Sequence, residues 1–174
     1  MTVRTGIWIR QAKPRDIPVL KEIVDLSFPR FFRFFAAHSI DSKDGKLLVS
    51  ECNGEVVGFA KLTKFHIARE KYGCILWLAV HPNNRRKGIA SALVNVATED
   101  LEREGQIGVF ASVKRTNKAS LATFRREGFE PVGLVELWRL FSWRIFQLYR
   151  DIWSAPTEIV LMHSLSLPKF PKVS

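Results

Sequence analysis

The stretch from Cys74 to Glu104 limits what this chain can fold into more than any other. An apolar run, Cys-Ile-Leu-Trp-Leu-Ala-Val, has strand length and ends at Val80. A basic loop follows, His81-Pro82-Asn83-Asn84-Arg85-Arg86-Lys87, and closes on Gly88. From there Ile89, Leu93, Val96, Ala97 and Leu101 recur at helical spacing. Strand, loop, glycine and helix in that order describe an anion site. The first turn of a helix has backbone N–H groups with no intrahelical partner, and the aligned peptide dipoles put partial positive charge there. Together they hold phosphate. Gly88 lets an anion approach the backbone, and Arg85, Arg86 and Lys87 add fixed charge beside it.

The spacing is neither G-x-x-x-x-G-K-[ST] nor G-x-G-x-x-G, so the common nucleotide and dinucleotide loops are excluded. At 174 residues the chain suits one domain with a sizeable core. No run reaches the roughly 20 apolar residues that span a bilayer, and the N-terminus carries no signal-peptide pattern. The expectation is a cytoplasmic protein with no membrane partner. Cys52 and Cys74 are the only cysteines, with no C-x-x-C and no histidine cluster, so no metal site is expected. The net charge of +10 attracts anions of any kind. It suits a phosphorylated cofactor, a nucleic acid or an acidic protein equally.

Ile7–Gln11 reads as a first strand, and Asp16 as the cap of a helix with Pro18 in its first turn and Leu20, Ile23 and Val24 inward. Five phenylalanines crowd residues 28–35, as core packing or as an exposed aromatic wall. Residues 46–52 and 55–64 are strands joined by Asn53-Gly54, a strong hairpin signal. Residues 73–80 are apolar almost throughout, which predicts a central strand buried on both faces. Gly105 ends the next helix. Residues 107–113 read as strand, and Asn117 caps a helix with Leu121 and Phe124 inward that stops at Gly128. Residues 132–135 continue as strand. Residues 137–153, dense in aromatics and arginines, are long enough for a four-turn helix that Pro156 closes. Residues 157–164 are a last strand, and a loose tail follows. Early hairpins and late crossovers predict an α/β domain around a mixed central sheet flanked by helices.

Val80-His81-Pro82 followed by Arg85-Arg86-Lys87-Gly88-Ile89-Ala90 is an R-x-x-G-x-A pattern. It resembles the acetyl-CoA motif of the GCN5-related N-acetyltransferase (GNAT) family. Residues 117–129, Asn-Lys-Ala-Ser-Leu-Ala-Thr-Phe-Arg-Arg-Glu-Gly-Phe, resemble that family's N-x-x-[SA]-x-x-x-[YF]-x-x-x-G-F segment, in the correct order and spacing. The element order agrees from about Ile7 to Ser164. The resemblance implies a single-domain acyl-CoA N-acyltransferase fold over residues 1–164, with an aromatic-rich helical insertion at 137–153 and a flexible tail at 165–174. It also implies acetyl transfer from acetyl-CoA to a primary amine of a small molecule or protein.

By that resemblance Leu78, Ala79 and Val80 pair with the pantetheine arm, and the Val80 N–H sits near the thioester oxygen. Arg85, Arg86, Lys87, Gly88, Ile89 and Ala90 hold the pyrophosphate. Asn117 and Ser120 lie along the cofactor arm, and Phe124 lines the thiol end. Lys114, Arg115 and Lys118 reach the 3′-phosphate or are solvated surface. Two features depart from the family pattern. Phe124 stands where a tyrosine often serves as general acid. The only tyrosines are Tyr72 and Tyr149, and Tyr149 is the candidate replacement. Residues 73–80 carry no carboxylate to act as base. Glu51, Glu55, Glu70, His66 and His81 are titratable alternatives, and a water chain to solvent is the default. The aromatic segments 28–35 and 138–153 form a pocket for a bulky or aromatic amine acceptor, or the 137–153 helix forms a homodimer interface. A catalytically impaired acyl-CoA-binding protein remains an alternative. So does a nucleic-acid-associated module, although a continuous apolar helix is more often packed than exposed.

Overall fold

In the computed structural model, residues 2–4, 6–155 and 157–165 are described. Eight strands and six helices follow one another as β1 (Thr2–Arg4), β2 (Ile7–Gln11), α1 (Ile17–Ser27), α2 (Arg30–Asp41), β3 (Lys46–Cys52), β4 (Glu55–Ile67), β5 (Glu70–Val80), α3 (Ile89–Arg103), β6 (Gly108–Lys114), α4 (Lys118–Arg126), β7 (Glu130–Pro131), α5 (Leu134–Phe141), α6 (Ile145–Asp151) and β8 (Glu158–Ser164). Hydrogen-bonded neighbours give the strand order β1-β2-β3-β4-β5-β6-β8-β7, a mixed sheet flanked by helices. The chain divides into two compact units, residues 1–63 with 75–97 and residues 64–74 with 98–174.

In the first unit the Asn53-Gly54 turn closes the β3–β4 hairpin. Both residues have positive φ, 52° and 82°, the geometry that matches the right-handed twist of the flanking strands. β2 pairs antiparallel with β3 from Ile7↔Cys52 to Gln11↔Leu48. Leu20, Ile23 and Val24 of α1 are fully buried against Ala36 and Ile40 of α2 and Val49 and Phe59 of the strands. Each such side chain contributes roughly 1.5–3 kcal/mol of burial, which fixes both helices on this face.

In the second unit β6 pairs in parallel with β5 from Tyr72↔Gly108 to Cys74↔Phe110 and antiparallel with β8 over seven residue pairs, from Gly108↔Ser164 to Lys114↔Glu158. Phe65, Tyr72, Phe110 and Phe141 form its aromatic centre, with ring centroids 5.5–6.1 Å apart. Glycine is required where β5 and α3 meet, because a Cβ on Gly73 would stand 2.7 Å from Leu101 Cδ1.

Several expectations change. Ile7–Gln11 is the second strand, not the first, because β1 precedes it. Asp16 closes a 3-10 turn over Pro14–Asp16 and makes no side-chain cap on α1. Its carboxylate is taken by Arg10 and by the Lys13 N–H. Leu76, Trp77 and Leu78 are only half-buried, so β5 is not covered on both faces. Strand structure ends at Pro131, and α5 begins at Leu134. The long 137–153 helix is three pieces, α5, a 3-10 turn over Ser142–Arg144, and α6. Ser142, at φ 50° and ψ −136°, cannot continue a helix. Pro156 and the tail from residue 166 lie outside the described residues.

Candidate functional site

The end of β5 sets the geometry of the site. The His81 N–H donates to Val57 O at 2.8 Å. Backbone groups alternate along a strand, so the Val80 N–H and C=O face the opposite edge. Arg85 confirms that orientation: its Nε donates to Val80 O at 3.0 Å. An Arg85 terminal nitrogen also donates to Ser27 Oγ, 3.1 Å away at the end of α1. The guanidinium of Arg85 therefore ties the loop to β5 and α1, a structural task beyond the charge the sequence assigns it. Gly58 allows β4 to approach. A Cβ there would lie 2.9 Å from Ala79 O, 2.9 Å from Ser50 Oγ and 3.3 Å from Val80 Cγ2.

The loop itself is a short 3-10 turn at Pro82–Asn84, capped by His81, whose Nδ1 accepts from the Asn83 N–H at 3.3 Å. Arg86 (φ 63°) and Gly88 (φ 81°) both adopt left-handed backbone, which only glycine does without strain. The Ala92 N–H donates to Gly88 O at 3.0 Å and starts α3. The N–H groups of Ile89, Ala90 and Ser91 precede any intrahelical acceptor. Arg86 and Lys87 are exposed beside them, Ile89 is buried, and Ala90 is half-buried. A phosphate fits this arrangement of helix start, left-handed glycine and two free-standing cations.

The remaining sequence candidates lie in the second unit. Asn117 Oδ1 accepts from the Ser120 N–H at 3.1 Å and caps α4, as its sequence position predicts. Ser120 is half-buried on the first turn of α4. Phe124 is 3% exposed and packs edge-on against Phe129, with centroids 5.0 Å apart. Its ring lines the interior and has no proton to give. Tyr149 is half-buried on α6. Tyr72 is buried, and that burial pushes its phenol above the usual range. Lys114, Arg115 and Lys118 are exposed.

Of the titratable alternatives, Glu51 is engaged by Arg10, with Nε 3.0 Å from Oε1. Arg10 also forks across both oxygens of Asp16, at 2.6 and 3.1 Å. Those bonds hold the Asp16 carboxyl below its usual range and raise the Arg10 guanidinium. His66, Glu55 and Glu70 are exposed. No residue of β5 beyond Glu70 offers a carboxylate. A groove of about 880 Å³ runs between α1, the β3–β4 turn and the loop after β5, lined by Arg15, Glu22, Glu55, His81, Asn83 and Lys87 among others. Its charges nearly cancel, so it does not select an anion. Among the described residues no cluster of three potential metal ligands occurs.

Sequence reasoning missed Ser27, Gly58 and the Arg10–Asp16–Glu51 group, all defined by pairings across long stretches of chain. In the sequence Trp77 is one member of an apolar run. It stacks edge-on against Phe28 at 5.3 Å and approaches Phe32 at 6.4 Å, which places the phenylalanine-rich segment against the half-buried part of β5.

This fold recurs among solved structures. The ribosomal-protein-S18-alanine N-acetyltransferase from Escherichia coli superimposes with a TM-score of 0.66 at 17% identity, covering 97% of this chain and 99% of that one. The PaiA N-acetyltransferase from Thermoplasma acidophilum, solved in complex with coenzyme A, gives 0.68 at 14% identity, covering 91% and 99%. In sequence, the mycothiol acetyltransferase of Streptomyces coelicolor is 33% identical over 81 residues, 47% of this chain. The match spans only 26% of that protein. The two structural likenesses show a shared α/β fold. The acetyltransferase (GNAT) family model matches residues 15–129, about two thirds of the sequence, and the chain belongs to that family.

Proposed function

We propose that this chain is an acetyl-CoA-dependent N-acetyltransferase acting on a primary amine by direct attack, with residues 1–164 as its catalytic domain. One observation carries the reading: the Val80 N–H is turned to the edge of β5 away from β4, just before a loop and helix start that fit a pyrophosphate. Acetyl-CoA, when bound, supplies an activated acyl group and a thiolate leaving group. Gly88, Ile89 and Ala90 hold the pyrophosphate through their N–H groups, with Arg86 and Lys87 supplying charge. Leu78 and Val80 offer strand-edge partners to the pantetheine amides. The Val80 N–H donates to the thioester oxygen as charge develops there, the role that oxyanion donors play generally.

An alkyl ammonium, with a pKa near 10.4, must lose a proton before it attacks. With no carboxylate on β5 from Gly73 to Val80, water carries that proton to solvent. A thiol has a pKa near 8.5, so its thiolate leaves without a tyrosine at position 124. The absent acid slows turnover, since general acid assistance is typically worth 10²–10⁴-fold. The Phe28–Phe32–Trp77 cluster supports a bulky or aromatic amine as acceptor. Free Cys52 and Cys74 suit a reducing compartment, the cytoplasm.

Calorimetry with acetyl-CoA tests this on wild type, Gly88→Ala and Gly88→Glu. Alanine adds the backbone strain of a left-handed site, about 1–2 kcal/mol, without charge, whereas glutamate adds negative charge at the proposed pyrophosphate site. Micromolar binding that weakens in the alanine variant and disappears in the glutamate variant is expected, followed by thiol release in an amine screen. Equal binding by wild type and Gly88→Glu would refute the cofactor site.

A further inference from the structure

Twelve large apolar side chains are exposed among the described residues, and seven of them lie between Leu134 and Trp153. On α5, Leu137 and Phe141 point inward, while Leu134, Val135 and Trp138 are 66%, 66% and 54% exposed. On α6 and just beyond it, Ile145, Leu148 and Ile152 are buried at i, i+3 and i+7. Phe146, Arg150 and Trp153 stand outward at i, i+4 and i+7, with the two rings 76% and 61% exposed. Trp143, in the 3-10 turn between the helices, is 64% exposed. The segment is thus apolar on two faces. One closes the core of the second unit, and the other meets water.

The composition of that outer face points to its occupant. It holds three of the chain's five tryptophans, the residue whose amphipathic ring favours the boundary between lipid headgroups and acyl chains. Cations are interleaved: Arg139 and Arg150 are exposed, and the Arg144 guanidinium lies 4.9 Å over the Trp143 ring. The local acids are already used. Glu136 Oε2 accepts from the Gly133 N–H at 2.7 Å, and Asp151 pairs with Arg150. A second copy on this face would set arginines against arginines in a chain of net charge +10, whereas an anionic surface complements them. Rings this exposed line no closed acceptor pocket. Helices of eight and seven residues are far too short to cross a bilayer, and no described helix is long and apolar enough to do so. Lying in the plane of the interface needs no such length.

We propose that the 134–153 face docks on an anionic lipid bilayer. Trp138, Trp143, Phe146 and Trp153 enter the headgroup–acyl boundary, and Arg139 and Arg144 meet lipid phosphates. The expectation of no membrane partner rested on the lack of a spanning run, and in-plane binding does not depend on one.

Co-sedimentation of the full chain with vesicles of phosphatidylcholine alone, and of phosphatidylcholine mixed with phosphatidylglycerol, tests the proposal, together with tryptophan emission. Binding to the mixed vesicles at least tenfold tighter than to neutral ones is expected, with a blue shift and weakening by salt. A Trp143→Ser, Phe146→Ser, Trp153→Ser variant should lose binding at least tenfold with unchanged circular dichroism. If that variant does not fold, Arg139→Gln, Arg144→Gln should remove the preference for anionic vesicles while leaving the core face intact. The proposal is overturned if wild type sediments with neither vesicle, or if the folded variants bind like wild type. It is equally overturned if gel filtration shows a wild-type dimer that the serine variant dissociates, since a second copy would then cover the face.

Discussion

Arg10 shows how one residue can organise a surface that sequence patterns do not reveal. Asp16 looks like a helix cap by position, yet its carboxylate is bound by an arginine on β2 that also holds Glu51 on β3. Asp16 is 5% exposed, so removing the arginine leaves a carboxylate out of water with only the Lys13 N–H. Arg10→Met should lower stability at neutral pH by about 3 kcal/mol, measured by urea unfolding. The deficit should depend on pH in one direction. Folding holds the Asp16 pKa below its ordinary 3.8, so the pair's contribution is present above that value and is lost as pH falls through the lower folded value. The wild-type and variant stabilities should converge on the acid side of 3.8. A pH-independent gap would show that Arg10 acts by packing alone. Gly58 is a second case. Alanine there collides with Ala79 O and Ser50 Oγ, both held in the sheet, so Gly58→Ala should destabilise by about 1–3 kcal/mol. It should also weaken acetyl-CoA binding, because the collision displaces the end of β5.

Elements were legible where local chemistry decides the backbone. Asn53-Gly54 predicts the β3–β4 turn because both residues tolerate positive φ, and the structure has 52° and 82° there. Gly105 and Gly128 stop α3 and α4 with φ of 80° and 83° for the same reason. Asn117 caps α4 through its own side chain. What could not be read depended on partners elsewhere in the chain or on competing local conformations. The 137–153 periodicity continues across Ser142, whose backbone breaks the helix. Leu76, Trp77 and Leu78 read as core because their run is apolar, and only the tertiary arrangement leaves them half-open. The basic loop and helix start of Arg85–Ala90 were legible as a pattern, whereas the use of Arg85 to bind Val80 O and Ser27 was not. Lys61, within β4, is another such case. It is 2% exposed, and its Nζ donates to Ser42 O, 3.0 Å away at the carboxyl end of α2, where a cation meets the negative end of the helix dipole. Burial pushes its pKa below 10.5. The unfolded chain keeps that proton to higher pH, so between the two values unfolding takes up a proton and stability rises with pH. In Lys61→Met that alkaline rise should be absent from a plot of Tm against pH. Identical alkaline slopes in the two proteins would mean Lys61 keeps its proton when folded.

At the scale of the molecule, the charge of +10 is the property that sequence gives outright and that local structure cannot localise. If acetyl-CoA is the physiological ligand, its phosphates should carry most of the recognition, because the loop and the start of α3 offer N–H groups and cations and little apolar surface. Ligand held near one hundred times its dissociation constant should stabilise the fold by about 2.7 kcal/mol. For a chain of this length that raises Tm by about 5–10 °C, at roughly 2–4 °C per kcal/mol. An acetylated pantetheine, which lacks the pyrophosphate and the nucleotide, should give no measurable shift at the same concentration. Raising salt from about 0.1 M to about 1 M shortens the screening length from about 10 Å to about 3 Å. The acetyl-CoA shift should then shrink, mainly through slower association, because a diffuse field steers encounter more than it holds the bound state. A shift equal for acetyl-CoA and acetylated pantetheine, and indifferent to salt, would instead place recognition on the pantetheine arm along β5 and leave the cationic surface free for another anionic partner.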